Sequence, residues 1–444
     1  MAQFEDTHIG NLFAISLPDS LIEKLAIATG AVERERKIDI VMLVWTLVLG
    51  FDAGTKLSLA SLRRKYQQFA ATSIARSSFY NRLSAAMASL MEQLVDWMLQ
   101  KRIQNTHTEI GRTFEGFRRL LAIDSTVIQL HQLLADDFES TNKHQATAKA
   151  HVVANVVEGT ANSVTLTGQT THDTGPVKII GKWVKDCLLL MDLGYYDFNL
   201  FHRIDQQGGF FISRVKSGAN PTIKASNISC RGRGIDLAGK SLQQVLGRLQ
   251  RQVIDVMVEV NVKMRPYGGT RSIRKKKFRL VGVRNDETGD YHLYFTNIAC
   301  DAMDAEAIAE TYALRWQVEL LFTRLKSNFR LHQLPTSKEH IVRILIYASI
   351  LSLMVSNVLL RSMRRRRPDR VFPARRMDEV FQDFAERLLA MVAQRRHNRK
   401  IDLYLLMLHE AADPNRTRQR SHDILKEIPM QNPRDQQIFV EVSA

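Results

Sequence analysis

The sequence predicts a mixed α/β protein in which helical regions flank a central sheet along the chain. Residues 19–104 repeat apolar side chains at the helical period of about 3.6. Between residues 120 and 215, short β-branched apolar runs alternate with helical patterns, which is typical of a mixed sheet. Beyond residue 361 the chain is basic and again helical in pattern.

The charge of the chain indicates a polyanionic partner. The 444 residues are 45% hydrophobic, as in globular proteins, and Lys plus Arg exceed Asp plus Glu by 16. Three basic blocks account for this excess: RSIRKKKFR (271–279), RSMRRRRPDRVFPARR (361–376) and QRRHNRK (394–400). Such clusters favour nucleic acid as the partner, with an anionic membrane surface as the second choice.

Other sequence signals point to a reducing cytosol and to no nucleotide cofactor. The 3 cysteines are far apart and form no zinc or disulfide pattern. No Walker motif and no signal-peptide pattern is present. The apolar run 344–360 approaches membrane-spanning length, but it contains three serines and Asn357 and leads into polyarginine. We therefore expect a buried core helix, with a membrane span as the lesser alternative.

The N-terminal region contains a candidate helix-turn-helix. Two helical patterns meet at a short polar break near residues 71–73, and Phe79, Leu83 and Met87 then recur every four residues. The residues left on the outer side are Arg76, Ser77, Tyr80, Asn81 and Arg82. This is the pattern of a recognition helix that faces a DNA groove. A plain helical bundle or a dimerisation cap fits the same pattern equally well.

Changes of pattern divide the chain into five segments. Residues 1–113 are predicted to form a helical N-terminal domain, 114–215 and 291–360 two parts of one α/β core, 216–290 a β-rich insertion, and 361–444 a basic helical C-terminal region. The insertion is marked by the alternation in IDVMVEVNVKM and by a hairpin pattern across residues 286–290.

Three carboxylates lie at positions where a charge needs a partner. Asp124 interrupts the apolar strand pattern LLAIDSTVIQL, where an unpaired charge is costly. Asp192 ends the apolar run CLLLM, at the edge where α/β sheets assemble their sites, although a strand-end Asp is often only a cap. Glu319 lies on the helix that follows the insertion. Together these oxygens are what two hard divalent cations require.

The segment ETYALRWQVELLFTRLK (310–326) predicts one amphipathic helix with an unusual polar stripe. Tyr312, Arg315, Glu319 and Lys326 fall within an arc of about 60° on a helical wheel. The plainer interpretation is a solvated face with one weak Arg–Glu pair.

The spacing Tyr-x₂-Arg-x₃-Glu-x₆-Lys resembles the YREK signature of IS4-family DDE transposases. The resemblance extends to IDSTVI around Asp124 and DLGYY after Met191, and it covers most of the chain. It implies an RNase H-like core in which Asp124, Asp192 and Glu319 bind metal and catalyse. It also implies that Arg315 and Lys326 grip DNA phosphates and that Tyr312 contacts the terminal nucleotide.

The resemblance implies a DNA transposase of an insertion sequence that cuts element ends and joins the 3′-hydroxyls to target DNA. The expected cofactors are two Mg²⁺ or Mn²⁺ ions per site. The expected partner is double-stranded DNA, both terminal inverted repeats and target, bound by a homodimer in the cytoplasm at the nucleoid, with no membrane. A hairpin route is also implied. The basic residues expected on the DNA path include Arg274, Lys275, Lys276 and Lys277. The alternatives are a catalytically silent DNA-binding relative and an RNase H-like nuclease or resolvase.

Overall fold

A computed structural model describes most of the chain and centres on one nine-stranded mixed sheet. The described residues are 9–32, 38–50, 58–105, 116–142, 145–156, 160–170, 180–227, 229–230, 233–234, 236–249, 251–264, 272–285, 289–327, 336–394 and 403–412. The basic block at 395–400, Arg271 and the polar tail beyond residue 412 lie outside them.

The secondary structure comprises these strands and helices over the described ranges. The strands are β1 Arg119–Leu130, β2 Ala146–Asn155, β3 Thr160–Gly168, β4 Cys187–Met191, β5 Phe210–Arg214, β6 Thr222–Ser226, β7 Ser229–Cys230, β8 Arg233–Gly234, β9 Val253–Met264, β10 Ser272–Arg284 and β11 Tyr291–Thr296. The helices are α1 Ile9–Ser16, α2 Asp19–Ala28, α3 Ile40–Val48, α4 Leu59–Phe69, α5 Arg76–Arg82, α6 Ala85–Asn105, α7 Phe198–Gln206, α8 Leu242–Leu246, α9 Ala305–Ala313, α10 Trp316–Ser327, α11 Glu339–Arg366, α12 Ala374–Asp383, α13 Ala385–Gln394 and α14 Leu403–Ala411.

The first five strands form the expected mixed core. They are ordered β3-β2-β1-β4-β5 in the sheet. β1 is antiparallel to β2, and β2 to β3, whereas β1, β4 and β5 run parallel to one another. The fold class predicted from the sequence, a mixed α/β core of RNase H-like type, is confirmed.

The β-rich segment continues this sheet. β11 pairs antiparallel with β5, and the order then runs β11-β10-β9-β6. β9 and β10 pair over twelve residue positions, as expected from the clean alternation of β9. The sheet is therefore continuous across the segment boundary proposed at residue 291, and the five-segment division remains a proposal.

The N-terminal helices have the core face that the sequence predicts. Phe79, Leu83 and Met87 are all buried. The second helix of the candidate helix-turn-helix is short, because α5 ends at Arg82 and Met87 belongs to α6. The turn before α5 includes Ala71 with a positive φ of 48°.

Helix α11 forms the spine of the larger hydrophobic core. It is long and apolar enough to cross a membrane, with a mean hydropathy of 1.9, but 89% of its most apolar window is buried inside the protein. Its core side chains pack with those of α3, α6 and α12. The prediction of a buried core helix is confirmed.

Candidate active site

The sheet register places Asp124 and Asp192 side by side. Ile123 pairs with Met191 in the parallel ladder of β1 and β4, so the next residue on each strand is an aspartate. Met191 in turn pairs with Ser213 on β5, which brings Arg214 into the same row. Tyr294 on β11 pairs with Arg214 and completes the row.

The strand pleat decides which face of the sheet carries this row. Ala122, Leu190 and Ile212 belong to the larger core, which includes side chains of α9, α10 and α11. Residues two positions later on each strand point to the same face. Asp124, Asp192 and Arg214 therefore lie on the face that α9 and α10 cover.

The glutamate segment is two helices rather than the one helix that the sequence predicts. α9 ends at Ala313 and α10 begins at Trp316. Between them, backbone amides of Leu314 and Arg315 bond to carbonyls three residues back, so the chain tightens into a turn. Tyr312 thus lies on one helix, Arg315 in the turn, and Glu319 on the next helix. The predicted single stripe along one helix is wrong, and its residues meet around a helix–helix corner instead.

Arg315 connects the helix carboxylate to the strand carboxylate. Its Nη1 donates to Asp124 Oδ2 at 2.8 Å, and its Nη2 donates to Glu319 Oε1 at 2.7 Å. All three side chains are largely withdrawn from solvent, with Arg315 15% exposed. Charge-assisted bonds in such a setting are stronger than a surface pair. The plain interpretation of a solvated charged face therefore does not describe this helix.

The environment of Asp124 opposes its ionisation in the absence of a further cation. Burial raises the pKa of this carboxyl from 3.8 to about 6. The Ser125 amide, which donates to Oδ1 at 2.7 Å, and the Arg315 guanidinium act in the opposite direction. The negative charges of Asp192 and Glu319 add to the rise in pKa.

Asp192 does not serve as the cap that a strand-end aspartate often provides. It precedes the short 3₁₀ turn Leu193–Tyr195, but its side chain makes no capping hydrogen bond there. Its charge acts on both Asp124 and Arg315, so it belongs to the same electrostatic cluster.

Tyr312 lies beside this cluster, whereas Lys326 is seven residues beyond Glu319 on α10. The Tyr312 ring packs on Tyr294 with centroids 5.0 Å apart, and the Arg315 guanidinium carbon lies 5.9 Å from its centroid. Its hydroxyl is buried without a hydrogen-bond partner in the described part of the chain, and burial raises its pKa to about 12. Lys326 is half-buried near the end of α10, where burial lowers its pKa.

Two residues near the site were not identified from the sequence as site residues. Arg214 reaches the row only through the pairing of β5 with β4 and β11, and its charge acts on Tyr312 and Tyr294. Trp316 is 58% exposed at the first position of α10. In the sequence, the position of Trp316 next to Arg315 could have identified it as a site residue. No sequence pattern around Arg214 indicates that it lies near the site.

The other residues predicted to contact DNA lie on α5 and on β10. Arg76 and Asn81 are exposed on α5, whereas Tyr80 and Arg82 are half-buried. In the basic strand, Arg274, Lys275 and Lys277 are exposed and Lys276 is half-buried. Val281 of β10 pairs with Tyr294 of the active-site row, six residues after Lys275. At about 3.3 Å per residue, Lys275 is about 20 Å from that row.

The donor chemistry of the cluster fits a hard divalent cation, but its present geometry does not hold one. Carboxylate oxygens are the preferred ligands of Mg²⁺ and Mn²⁺. Among the described residues, no group of three His, Cys, Asp or Glu side chains is arranged to hold a metal ion. The reason is visible at Arg315, whose guanidinium lies between two of the three acids.

Comparisons with known proteins show the family of this chain. A model of the transposase DDE domain family matches residues 115–355, more than half of the chain. The transposase of IS1151 from Clostridium perfringens is 23% identical over 347 residues, covering 71% of this chain and 72% of that protein. The transposase of IS231D from Bacillus thuringiensis subsp. finitimus is 22% identical over 384 residues, with 79% of each chain covered.

A solved structure, a piggyBac transposase synaptic complex with hairpin DNA, aligns with 94% of this chain and 88% of its own at a TM-score of 0.45 and 10% identity. The matched family range contains Asp124 on β1, Asp192 directly after β4, and Glu319 on α10. The chain therefore belongs to the DDE transposase family and is a transposase of the insertion-sequence type, an enzyme that cuts and joins DNA strands.

Proposed function

We propose that this transposase cuts the ends of its own element and joins the freed 3′-hydroxyls to target DNA at a site built from Asp124, Asp192 and Glu319. The observation that carries the proposal is the double contact of Arg315. A strand carboxylate and a helix carboxylate share one guanidinium beside a second strand carboxylate. The YREK spacing supports assignment to the IS4 family.

The three acids would hold the metal. Transposases of this family use divalent metal ions, and we propose two Mg²⁺ or Mn²⁺ ions here. When bound, such ions activate the attacking water or hydroxyl and stabilise the leaving oxygen. Three carboxylates against the guanidiniums of Arg315 and Arg214 leave the cluster with an excess of negative charge, which is the electrostatic requirement for binding cations.

Arg315 would move from the acids to the DNA when the site is loaded. A phosphate can accept two parallel hydrogen bonds from a guanidinium, as the two carboxylates do in the free protein. Lys326 from α10 and Arg214 from β5 would add positive charge beside the scissile phosphate. The buried Tyr312 hydroxyl would donate to the terminal nucleotide, and the exposed Trp316 ring offers an apolar surface against a terminal base.

The wider DNA surface would be basic and dimeric. Terminal inverted repeats and target DNA would run along the exposed Arg and Lys side chains of β10, of α5 and of residues 361–376. Two chains would bridge two element ends before cleavage, and a hairpin at each end is the route that the resemblance implies. The enzyme would act on DNA in the cytoplasm.

The test is a gel assay with the purified protein and DNA that flanks the gene, in Mg²⁺ or Mn²⁺. Glu319→Gln should abolish cleavage and joining while end binding persists, because it removes a metal ligand and no phosphate-gripping cation. Glu310→Gln, an exposed acid on the neighbouring helix α9, is the matched control and should react like the unchanged protein. If the unchanged protein binds ends without cutting them, the silent DNA-binding alternative replaces the proposal. Cleavage of branched DNA without joining would instead indicate a nuclease or resolvase.

A further inference from the structure

A buried ionic network lies on the far side of helix α10 from the active site. Arg324 donates from Nε to Asp378 Oδ2 at 2.5 Å and from Nη2 to Asp378 Oδ1 at 2.8 Å. Nη2 also donates to Asn357 Oδ1 at 2.9 Å, and the Ser356 hydroxyl donates to Asp378 Oδ1 at 2.8 Å. Each of these four side chains is less than 9% exposed.

The network joins three helices across the core. Arg324 belongs to α10 and Asp378 to α12 in the C-terminal region. The donor Ser356 and the acceptor Asn357 both belong to α11. Fully buried ion pairs of this kind contribute little net stability, because removing both charges from water offsets their attraction. Their bidentate geometry is directional, however, and fixes the orientation of the groups they join.

Arg324 and Glu319 lie on the same helix, so the rotation of α10 that Arg324 adopts also sets the direction in which the Glu319 side chain points. Five residues separate the two, which places them about 140° apart around the helix axis. The buried apolar side chains of α10 are Val318, Leu321, Phe322 and Leu325, and their contacts are non-directional. At a radius of 5–6 Å, a helix rotation of about 20° would move the Glu319 carboxylate by about 2 Å.

We infer that Asp378, through Arg324, is a positioning residue that fixes the rotation of α10 and so aims Glu319 and Arg315 at Asp124. This inference rests on the proposed function of Glu319 as a metal ligand. It gives the C-terminal region a part in the active site beyond the charge of its arginines. A displacement of about 1 Å in such a site can cost roughly a hundredfold in rate.

The decisive variant replaces the pair with apolar residues, Arg324→Met together with Asp378→Leu. Exchanging a buried ion pair for apolar side chains of similar volume is commonly neutral or stabilising, whereas the buried Ser356 hydroxyl and the buried Asn357 amide each lose one partner. This protein should therefore fold, with a Tm lowered by a few degrees at most. Single changes such as Asp378→Asn leave the buried charge of Arg324 only partly paired. They form a second series of variants with the same measurements. The control is Arg343→Met with Glu339→Gln, a half-exposed pair on α11.

The readouts are Mn²⁺ affinity of the complex with element-end DNA, measured by electron paramagnetic resonance, the DNA Kd and the single-turnover cleavage rate. In the apolar double variant we expect Mn²⁺ affinity to fall about tenfold and cleavage ten- to a hundredfold, with the DNA Kd within about twofold. Added to Glu319→Gln, the same two changes should lower Mn²⁺ affinity no further, because they act through Glu319.

A folded double variant with unchanged Mn²⁺ affinity and cleavage would overturn the inference, as would losses that add to those of Glu319→Gln. In both cases Glu319→Gln alone would still weaken Mn²⁺ binding. A different result would be expected if Glu319 were not a metal ligand. The Glu319→Gln variant would then bind Mn²⁺ like the unchanged protein.

Discussion

The guanidinium of Arg315 balances the charge of two carboxylates of the candidate active site. It bonds to Asp124 and Glu319 and thereby occupies the space between them. A divalent cation that binds both acids must displace it, and a DNA phosphate gives it a new anionic partner. DNA and metal should therefore bind cooperatively, because each favours the same position of this side chain.

Replacing Arg315 should separate its two roles. Without DNA, Arg315→Met should bind Mn²⁺ about tenfold more tightly than the unchanged protein, because the competing cation is gone. With element-end DNA the cooperative gain in Mn²⁺ affinity should shrink, and cleavage should fall. Electron paramagnetic resonance measures free Mn²⁺ directly, with Arg343→Met on α11 as the matched control. Equal or weaker Mn²⁺ binding by Arg315→Met in the free protein would contradict the competition.

Asp124 should also make the metal-free protein depend on pH. Burial raises its pKa from 3.8 to about 6 in the folded protein, so its contribution to stability is present below pH 3.8 and is lost as the pH rises through about 6. At pH 7.5, Asp124→Asn should therefore be more stable than the unchanged protein, by about 3 kcal/mol at most. Chemical denaturation between pH 4.5 and 7.5, without metal, measures this difference. A difference that stays constant with pH would show that Asp124 titrates with an ordinary pKa.

At the scale of elements, the corner between α9 and α10 is the feature that local sequence does not encode. Residues 312–316 contain neither Gly nor Pro, and their apolar period continues from one helix to the next. The turn brings Arg315 within reach of Asp124, which is 191 residues away in the sequence. The helix therefore breaks where Arg315 forms its ion pairs with Asp124 and Glu319, and helix propensity alone would not predict this break.

The basic strand β10 should contact DNA well inside the element end. Lys275 lies about 20 Å from the row of Asp124, Asp192, Arg214 and Tyr294, which corresponds to about six base pairs along a duplex. Lys275→Gln with Lys277→Gln should weaken binding to any sequence and reduce the slope of log affinity against log salt by about 1 for each lost phosphate contact.

Filter binding at several salt concentrations gives this slope, and Lys224→Gln, whose ammonium pairs with Glu259 on the neighbouring strand, is the control. An unchanged slope would assign these lysines to solvation or to their own ion pair with Glu259.

At the scale of the whole molecule, the sequence predicts what depends on periodicity and spacing. The apolar strand patterns locate Asp124 and Asp192, and the Tyr-Arg-Glu-Lys spacing locates the helix residues. It does not predict Arg214, whose place depends on β11 pairing with β5, or the union of insertion and core in one sheet. Likewise, the partnership of Arg324 with Asp378 spans 54 residues and depends on how three helices pack. Pairings set by tertiary packing leave no local pattern to find.

Asp124, Asp192 and Glu319 are proposed to hold divalent metal at the DNA end. The most direct measurement is a crystal structure of the protein with element-end DNA and Mn²⁺, with manganese located by its anomalous scattering. We expect manganese within about 2.0–2.2 Å of oxygens from all three carboxylates, with the Arg315 guanidinium moved onto a DNA phosphate. Manganese bound elsewhere, or Arg315 still lying between Asp124 and Glu319 in the loaded complex, would contradict the account.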